Sequence, residues 1–187
     1  MSPVMGKRGG RGGWQDAALR TFSPIPMKHL VPLLGALACT VAQAAPVYLE
    51  TPVTYAPNAG IVDKVKDECK PDEAFAREAS PFFAKLSQGE GTVAADAATR
   101  DQSRVRVQIT HVMGVGGGAW SGPKSMSIQA TLIENGKPTR TTKLTRSTTG
   151  GAFGGFKGTC SLIDRCAKAL GKDVAQWATD PQYRGGD

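Results

Sequence analysis

Three sets of residues in this chain have types and spacings that could do chemistry. The first is the run Gly150-Gly151-Ala152-Phe153-Gly154-Gly155-Phe156-Lys157-Gly158. A phosphate-cradling loop needs two glycines spaced like Gly150 and Gly155, followed at once by Lys and then Ser or Thr. Here Phe156 displaces Lys157, and Gly158 stands where the hydroxyl residue belongs. Nucleotide binding is therefore not expected. The same glycines suit a tight strand-to-helix turn with unusual dihedral angles. An anion site at the start of the following helix, built from backbone amides and Lys157, is the intermediate case.

The second set is the glycine string ending in Gly116-Gly117-Gly118, with Trp120 just beyond it. A Trp at a loop tip can anchor a partner or stack on a sugar. Phe153 and Phe156 would extend that surface if both glycine runs leave the same end of a sheet. The binding candidates are thus Trp120, Phe153, Phe156 and Lys157. The alternative is a plain hairpin loop with Trp120 folded back over the sheet and the two phenylalanines plugging the core.

The third set is His111 with Cys69, Cys160 and Cys166. His111 is in phase with an apolar strand face, which favours a hydrogen-bonded core or rim histidine over a catalytic one. No Ser lies in a Gly-x-Ser-x-Gly elbow, although a Ser-His-Asp site needs no closeness in sequence. A metal site from the three cysteines and His111 would lack the close Cys-x-x-Cys spacing of zinc centres. No catalytic residue, metal or cofactor is expected. In an oxidising compartment three cysteines leave one disulfide and one thiol. Of the three pairings, Cys69 with Cys160 is favoured. Cys166 falls on the apolar stripe of a helix as a free core thiol, Cys160 lies just ahead of that helix, and Cys69 ends an earlier one. The bridge would close a loop of about 90 residues and contribute about 4 kcal/mol in the chain-entropy account.

The elements that must position these residues read as α+β. Residues 46–54 are rich in Val, Tyr and Thr and read as a strand. Asn58 can cap a helix with Ile61, Val62, Val65 and Cys69 on one face. Pro71 ends that helix or opens a second one, with Asp72 and Glu73 in its first turn. Phe75, Ala79, Phe82, Phe83 and Leu86 form the second face, and Pro81 is expected to kink it. Residues 88–98 read as a loop.

Residues 104–113 alternate clearly. Val105, Val107, Ile109, His111 and Met113 share one side, and Arg104, Arg106, Gln108 and Thr110 the other. Residues 125–134 do the same, with Met126, Ile128, Ala130 and Leu132 inward. Asn135-Gly136 marks a hairpin. A three-residue loop, residues 134–136, places Leu144 on the core face opposite Met126, whereas a two-residue loop would place it opposite Ser127 on the wet face. Burial favours the longer loop. Residues 139–147, mostly Thr, Arg and Lys, suit an edge strand guarded against aggregation. Thr159 or Ser161 can cap a last helix, with Asp164 completing a variant capping box. Leu162, Cys166, Leu170, Val174 and Trp177 form its stripe. The expected fold is an antiparallel sheet of about four strands with helices on one face, in the order strand-helix-strand-strand-strand-helix.

The N-terminal part reads differently. Met27-Lys28-His29, an apolar segment to Leu37 and the small-residue exit Ala42-Gln43-Ala44 have the order of a secretory signal peptide. Residues 1–26 are Gly- and Arg-rich without periodicity, and read as a disordered extension from a start codon assigned too early; a basic nucleic-acid-binding arm is the rival reading. Cys39 could take a lipid, but Leu37 stands one place too close for a standard lipoprotein motif. The expected divisions are 1–26, a signal at 27–44, one domain at 45–179 and a flexible tail at 180–187.

The whole sequence has 187 residues, 23 Lys plus Arg against 16 Asp plus Glu, and a net charge of +7. Lys7, Arg8, Arg11, Arg20, Lys28 and Asp16 precede residue 45, so the remainder carries 18 basic and 15 acidic residues, a charge of +3. That balance is ordinary for a soluble domain and gives no charge-based footprint for nucleic acid. No run reaches the length of about 20 apolar residues expected of a membrane span.

The stretches Gly116-Gly117-Gly118-Ala119-Trp120-Ser121-Gly122, Gly150 through Cys160 and Leu170-Gly171-Lys172-Asp173-Val174-Ala175-Gln176-Trp177 resemble an uncharacterised family of small exported bacterial envelope proteins and candidate lipoproteins. The resemblance spans most of the chain from the Cys69 helix onward. It implies an envelope location and an α+β fold, and no reaction. The expected function is that of a periplasmic, non-enzymatic envelope protein binding a protein partner or envelope polymer through its glycine-aromatic loops. Alternatives are a structural accessory of an outer-membrane assembly, paired through the exposed third strand, and a periplasmic hydrolase using His111.

Overall fold

Alternation of Val105, Val107 and Ile109 with Arg104, Arg106 and Gln108 makes one strand with an apolar and a polar side, and the rest of the fold is arranged on it. The computed structural model describes residues 45–114, 123–149 and 158–185. The chain divides into two units, Met1–Val41 and Ala42–Asp187, and all the described residues belong to the second. Their order is β1 (Val47–Thr51), β2 (Thr54–Ile61), α1 (Asp63–Cys69), α2 (Pro71–Ser87), β3 (Thr92–Ala94), β4 (Ser103–Met113), β5 (Lys124–Glu134), β6 (Lys137–Thr148) and α3 (Thr159–Thr179).

The fold is α+β, but the sheet is mixed and six-stranded rather than antiparallel and four-stranded. Its order is β3-β1-β4-β5-β6, with β2 also paired to β4. β1 runs parallel to β3 and β4, and β2 parallel to β4, while β4, β5 and β6 are antiparallel. The passage through α1 and α2 supplies the long crossover that parallel neighbours require. Two strands escape the sequence reading for physical reasons. β3 has three residues. β2 contains Pro57 and Gly60 and loses register between Tyr55 and Gly60. Asn58 therefore lies inside β2 instead of capping a helix, and α1 starts after Val62 with no side-chain cap. Pro71 opens α2 after Lys70 turns left-handed at φ 44°, and Pro81 sits inside one continuous α2.

Helices α2 and α3 cover the apolar side of the sheet. Leu49, Val107, Ile109, Ile128 and Leu132 pack with Phe75, Phe83, Ile163 and Leu170 in one buried cluster. The opposite side is polar. There Glu50 is 5% exposed between Arg104 and Arg106, with N–O distances of 2.7 and 2.5 Å. Ser127 and Thr145 share a hydroxyl hydrogen bond of 2.8 Å on the same side.

Two register shifts correct the expected phases. The first falls between Ile109 and His111. It gives the buried phase to Val112, 2% exposed, and turns His111 and Met113 outward. The second lies in the hairpin. The turn has two residues, Asn135 at φ 53° and Gly136 at φ 72°, and Glu134 pairs with Lys137. Both residues are left-handed, as a mirror-type turn requires. A bulge between Leu132 and Ile133 then restores the phase, so Leu144 is 7% exposed and faces Ile128 rather than Met126. Thr139 sits in the bulge and donates its hydroxyl to Glu134 Oε2 at 2.6 Å.

α3 begins at Thr159 with Gly158 as its cap residue and no side-chain cap. Asp164 instead accepts a hydrogen bond from Arg77 of α2 at 3.0 Å. Gly171 sets the crossing of α2 and α3, since a Cβ there would lie 2.7 Å from Ala79 Cα. The tail expected to fray is anchored at Tyr183, whose hydroxyl donates to Asp173 Oδ1 at 2.7 Å.

Candidate functional site

The strand pairings gather several features at one end of the sheet. Met113, at the end of β4, pairs with Ser125, and Lys124, at the start of β5, pairs with Thr148 at the end of β6. Both glycine-aromatic runs therefore leave from neighbouring strands on the same side. Trp120, Phe153, Phe156 and Lys157 themselves lie outside the described residues. Their roots are brought together, which is the arrangement the sequence reading made its condition for one shared surface.

Helix α1 reaches the same end, because β2 finishes with Ile61 beside Val112. Gly114 is packed against Val65 of α1 and Ile163 of α3; a Cβ there would lie 2.8 Å from a Val65 methyl. The disulfide joins Cys69, the last residue of α1, to Cys160 in the first turn of α3, with Cα atoms 4.9 Å apart. Thus the start of α3, immediately after residues 150–157, is tied covalently to the helix that follows β2.

Cys166 is the free thiol among the described cysteines and is 2% exposed. Its Sγ donates to the carbonyl of Lys124 at 3.7 Å. Burial pushes its pKa up to about 11, which keeps it a thiol and so unreactive at neutral pH. Lys124 is 1% exposed and in phase with Met126. The sequence reading missed it, although the alternation through Met126 and Ile128 would have placed it on the core face.

Val62 and Met113 were also missed as a pair. They are the exposed large hydrophobic residues among those described, at 47% and 43%. Ile61, the last residue of β2, pairs with Val112, so Val62, which caps α1, and Met113 both follow directly on that last pair. Both are exposed at the end of the sheet from which residues 115–122 depart.

His111 lies close by but is exposed, its ring lying over Gly60, and makes no hydrogen bond or ion pair with a described residue. Its cross-strand partner is Ser127, whose hydroxyl is shared with Thr145 at 2.8 Å. Among the described residues no group of three His, Cys, Asp or Glu side chains could hold a metal ion. No described helix is long and apolar enough to cross a membrane.

No protein-family model and no curated protein matches the sequence. Among solved structures, a point variant of the PelC dodecamer from Paraburkholderia phytofirmans is similar at 12% identity and a TM-score of 0.44, covering 74% of this chain and 92% of that one. A candidate lipoprotein from Caulobacter crescentus is similar at 14% identity and a TM-score of 0.37, covering 59% of this chain and 85% of its own. A DUF330 protein from Xanthomonas campestris shows 8% identity and a TM-score of 0.36, over 73% of this chain and 85% of that one. At these identities and scores no function is transferred from them.

Proposed function

We propose that this chain is an exported, non-enzymatic envelope protein that binds a protein partner or an envelope polymer through the glycine-aromatic end of its sheet. The observation that carries the reading is the common origin of the two glycine-aromatic runs at strand ends paired through Met113–Ser125 and Lys124–Thr148. The exposed apolar pair Val62 and Met113 adds a contact surface at the same place. Apolar and aromatic groups gathered on an otherwise polar surface are the usual anchors of recognition. Export is supported by the charged, apolar and small-residue order of residues 27–44. The non-enzymatic part rests on the sequence, in which His111 is the one histidine beyond residue 44 and no Ser lies in a Gly-x-Ser-x-Gly elbow.

A second reading uses β6. Among the described strands it is an edge strand of 12 residues, and such an edge can pair with another chain by strand addition.

Site-specific photocrosslinking in the native envelope separates the two. A crosslinker at Trp120 or Phe156 is expected to capture a defined adduct that is lost in competition with unlabelled wild type. A crosslinker at Thr141 or Lys143 is expected to capture none. Adducts from β6 alone would replace the first reading with the second, and none from either set would remove both.

A further inference from the structure

We propose that the cleft between α2 and α3 binds the alkyl chain of a long-chain carboxylate, with Lys85 and Lys172 holding its head. The cleft has a volume of about 280 Å³. Phe82, Leu86 and Ala175 line it with apolar surface, and Lys85 and Lys172 border it. No acidic residue lines it.

The crossing of the helices explains why it is there. α2 and α3 touch through their smallest residues, Ala79 and Gly171. One and two turns further on the side chains are Phe82 and Leu86, each only partly buried, and a cleft remains between the helices. Thr179 closes one side of the cleft. Its hydroxyl donates to the carbonyls of Ala175 and Gln176 at 3.3 and 3.1 Å, so its polar group is already engaged.

Charge selects the kind of ligand. Neither Lys85 nor Lys172 makes an ion pair or hydrogen bond with a described residue, although the acids nearest along the same helices do. Glu78 is engaged by Arg77 and Asp173 by Arg146. The two lysines thus leave uncompensated positive charge beside apolar surface, and their own methylene stems extend that surface. An amphiphile with an anionic head complements both parts.

Size and dipoles narrow the choice further. A volume of about 280 Å³ lies just below the range of about 300–1,000 Å³ for small-molecule sites, which suits one chain and no bulky ring. An amphipathic helix would need anchors over at least two turns of a groove, more than Phe82 to Leu86 offers. The cleft borders the C-terminal turns of both helices, which end at Ser87 and Thr179. Those ends carry partial negative charge. They penalise a doubly charged phosphate more than a singly charged carboxylate.

The test uses the full chain, freed of bound lipid, and methyl NMR of Leu86 and Ala175 with probes below their micelle concentrations. Sodium dodecanoate is expected to shift both methyl groups and to bind at least tenfold more tightly than dodecyl maltoside or dodecyl phosphate. The exposed double change Lys85→Glu with Lys172→Glu is expected to weaken dodecanoate at least tenfold and leave the maltoside unchanged. Ala175→Phe should fill the floor and abolish binding; should that variant not fold, the lysine pair still decides. Equal binding of dodecanoate and maltoside, tighter binding of the phosphate, shifts confined to Met113 and Val62, or no shift at all would each overturn the proposal.

Discussion

Where α2 and α3 begin, the Cys69–Cys160 disulfide joins the segment just ahead of α2 to the first turn of α3. Where they end, a cleft of about 280 Å³ lies between them. The two regions are stabilised in different ways. The first adjoins residues 115–122 and 150–157, which are rich in glycine, and there a covalent link ties the helices together. The second is fastened to the sheet by charged side chains. Arg140 stacks over Trp177, 4.9 Å from its centroid, and donates to the carbonyl of Ala178 at 2.8 Å. Arg146 donates to both carboxylate oxygens of Asp173 at 2.6 and 3.0 Å. The crosslink thus sits at the end of the fold from which both glycine-rich segments depart.

The strongest way to break this contrast is to cut the link. Replacing Cys69 and Cys160 by Ala is expected to lower stability by about 4 kcal/mol in urea unfolding. Hydrogen exchange should rise first in α1 and the opening turn of α3, making the closed region behave like the open one. An unchanged midpoint would mean that packing of Val65 and Ile163 against Gly114 already suffices there.

A smaller effect is expected at the point where the helices touch. Gly171→Ala places a methyl group against the backbone of Ala79, and overpacking of this kind costs about 1–3 kcal/mol. Thermal unfolding measures the loss. Widening of the cleft should accompany it and raise the solvent accessibility of Phe82.

The smallest effect concerns acid. Burial alone would raise the pKa of Glu50, but hydrogen bonds from Arg106 and Arg104, and their charges, outweigh it and hold the carboxyl below its ordinary 4.5. A depressed carboxylate stabilises the fold fully above its unfolded pKa, and that contribution disappears as pH falls through the folded value. Stability should therefore decline as pH drops below about 4.5, and Glu50→Gln should flatten the decline while lowering stability at pH 7. Arg104 pairs with Ile133, close to the hairpin, so acid is expected to loosen the sheet there before it affects the disulfide region.

The sequence made some of these features readable and not others. β4 and β5 alternate over long stretches, so their existence and inward faces could be read directly. The Cys69–Cys160 pairing followed from the helical phase of Cys166. The bulges at Thr110 and Thr139 could not be read, because alternation assumes an unbroken register. The hairpin shows the difference: the burial of Leu144 was correctly required, but the device that secures it is a two-residue turn plus a bulge. β2 was hidden by Pro57, Asn58 and Gly60, which ordinarily mark a turn. The cleft depends on how closely Ala79 and Gly171 approach, a tertiary fact with no local signature. The common origin of the two glycine runs became visible only once β4, β5 and β6 were placed side by side.

The position of β1 has a consequence for how the chain reaches its folded state. β1 is the first described strand, yet it lies between β3 and β4, with Leu49 beside both Thr92 and Val105. Its slot does not exist until β4 has been made. A growing chain must therefore carry Val47, Leu49 and Glu50 without their partners while more than fifty further residues are synthesised. Contacts so distant in sequence close slowly. The topology itself delays closure of the sheet until β4 is in place.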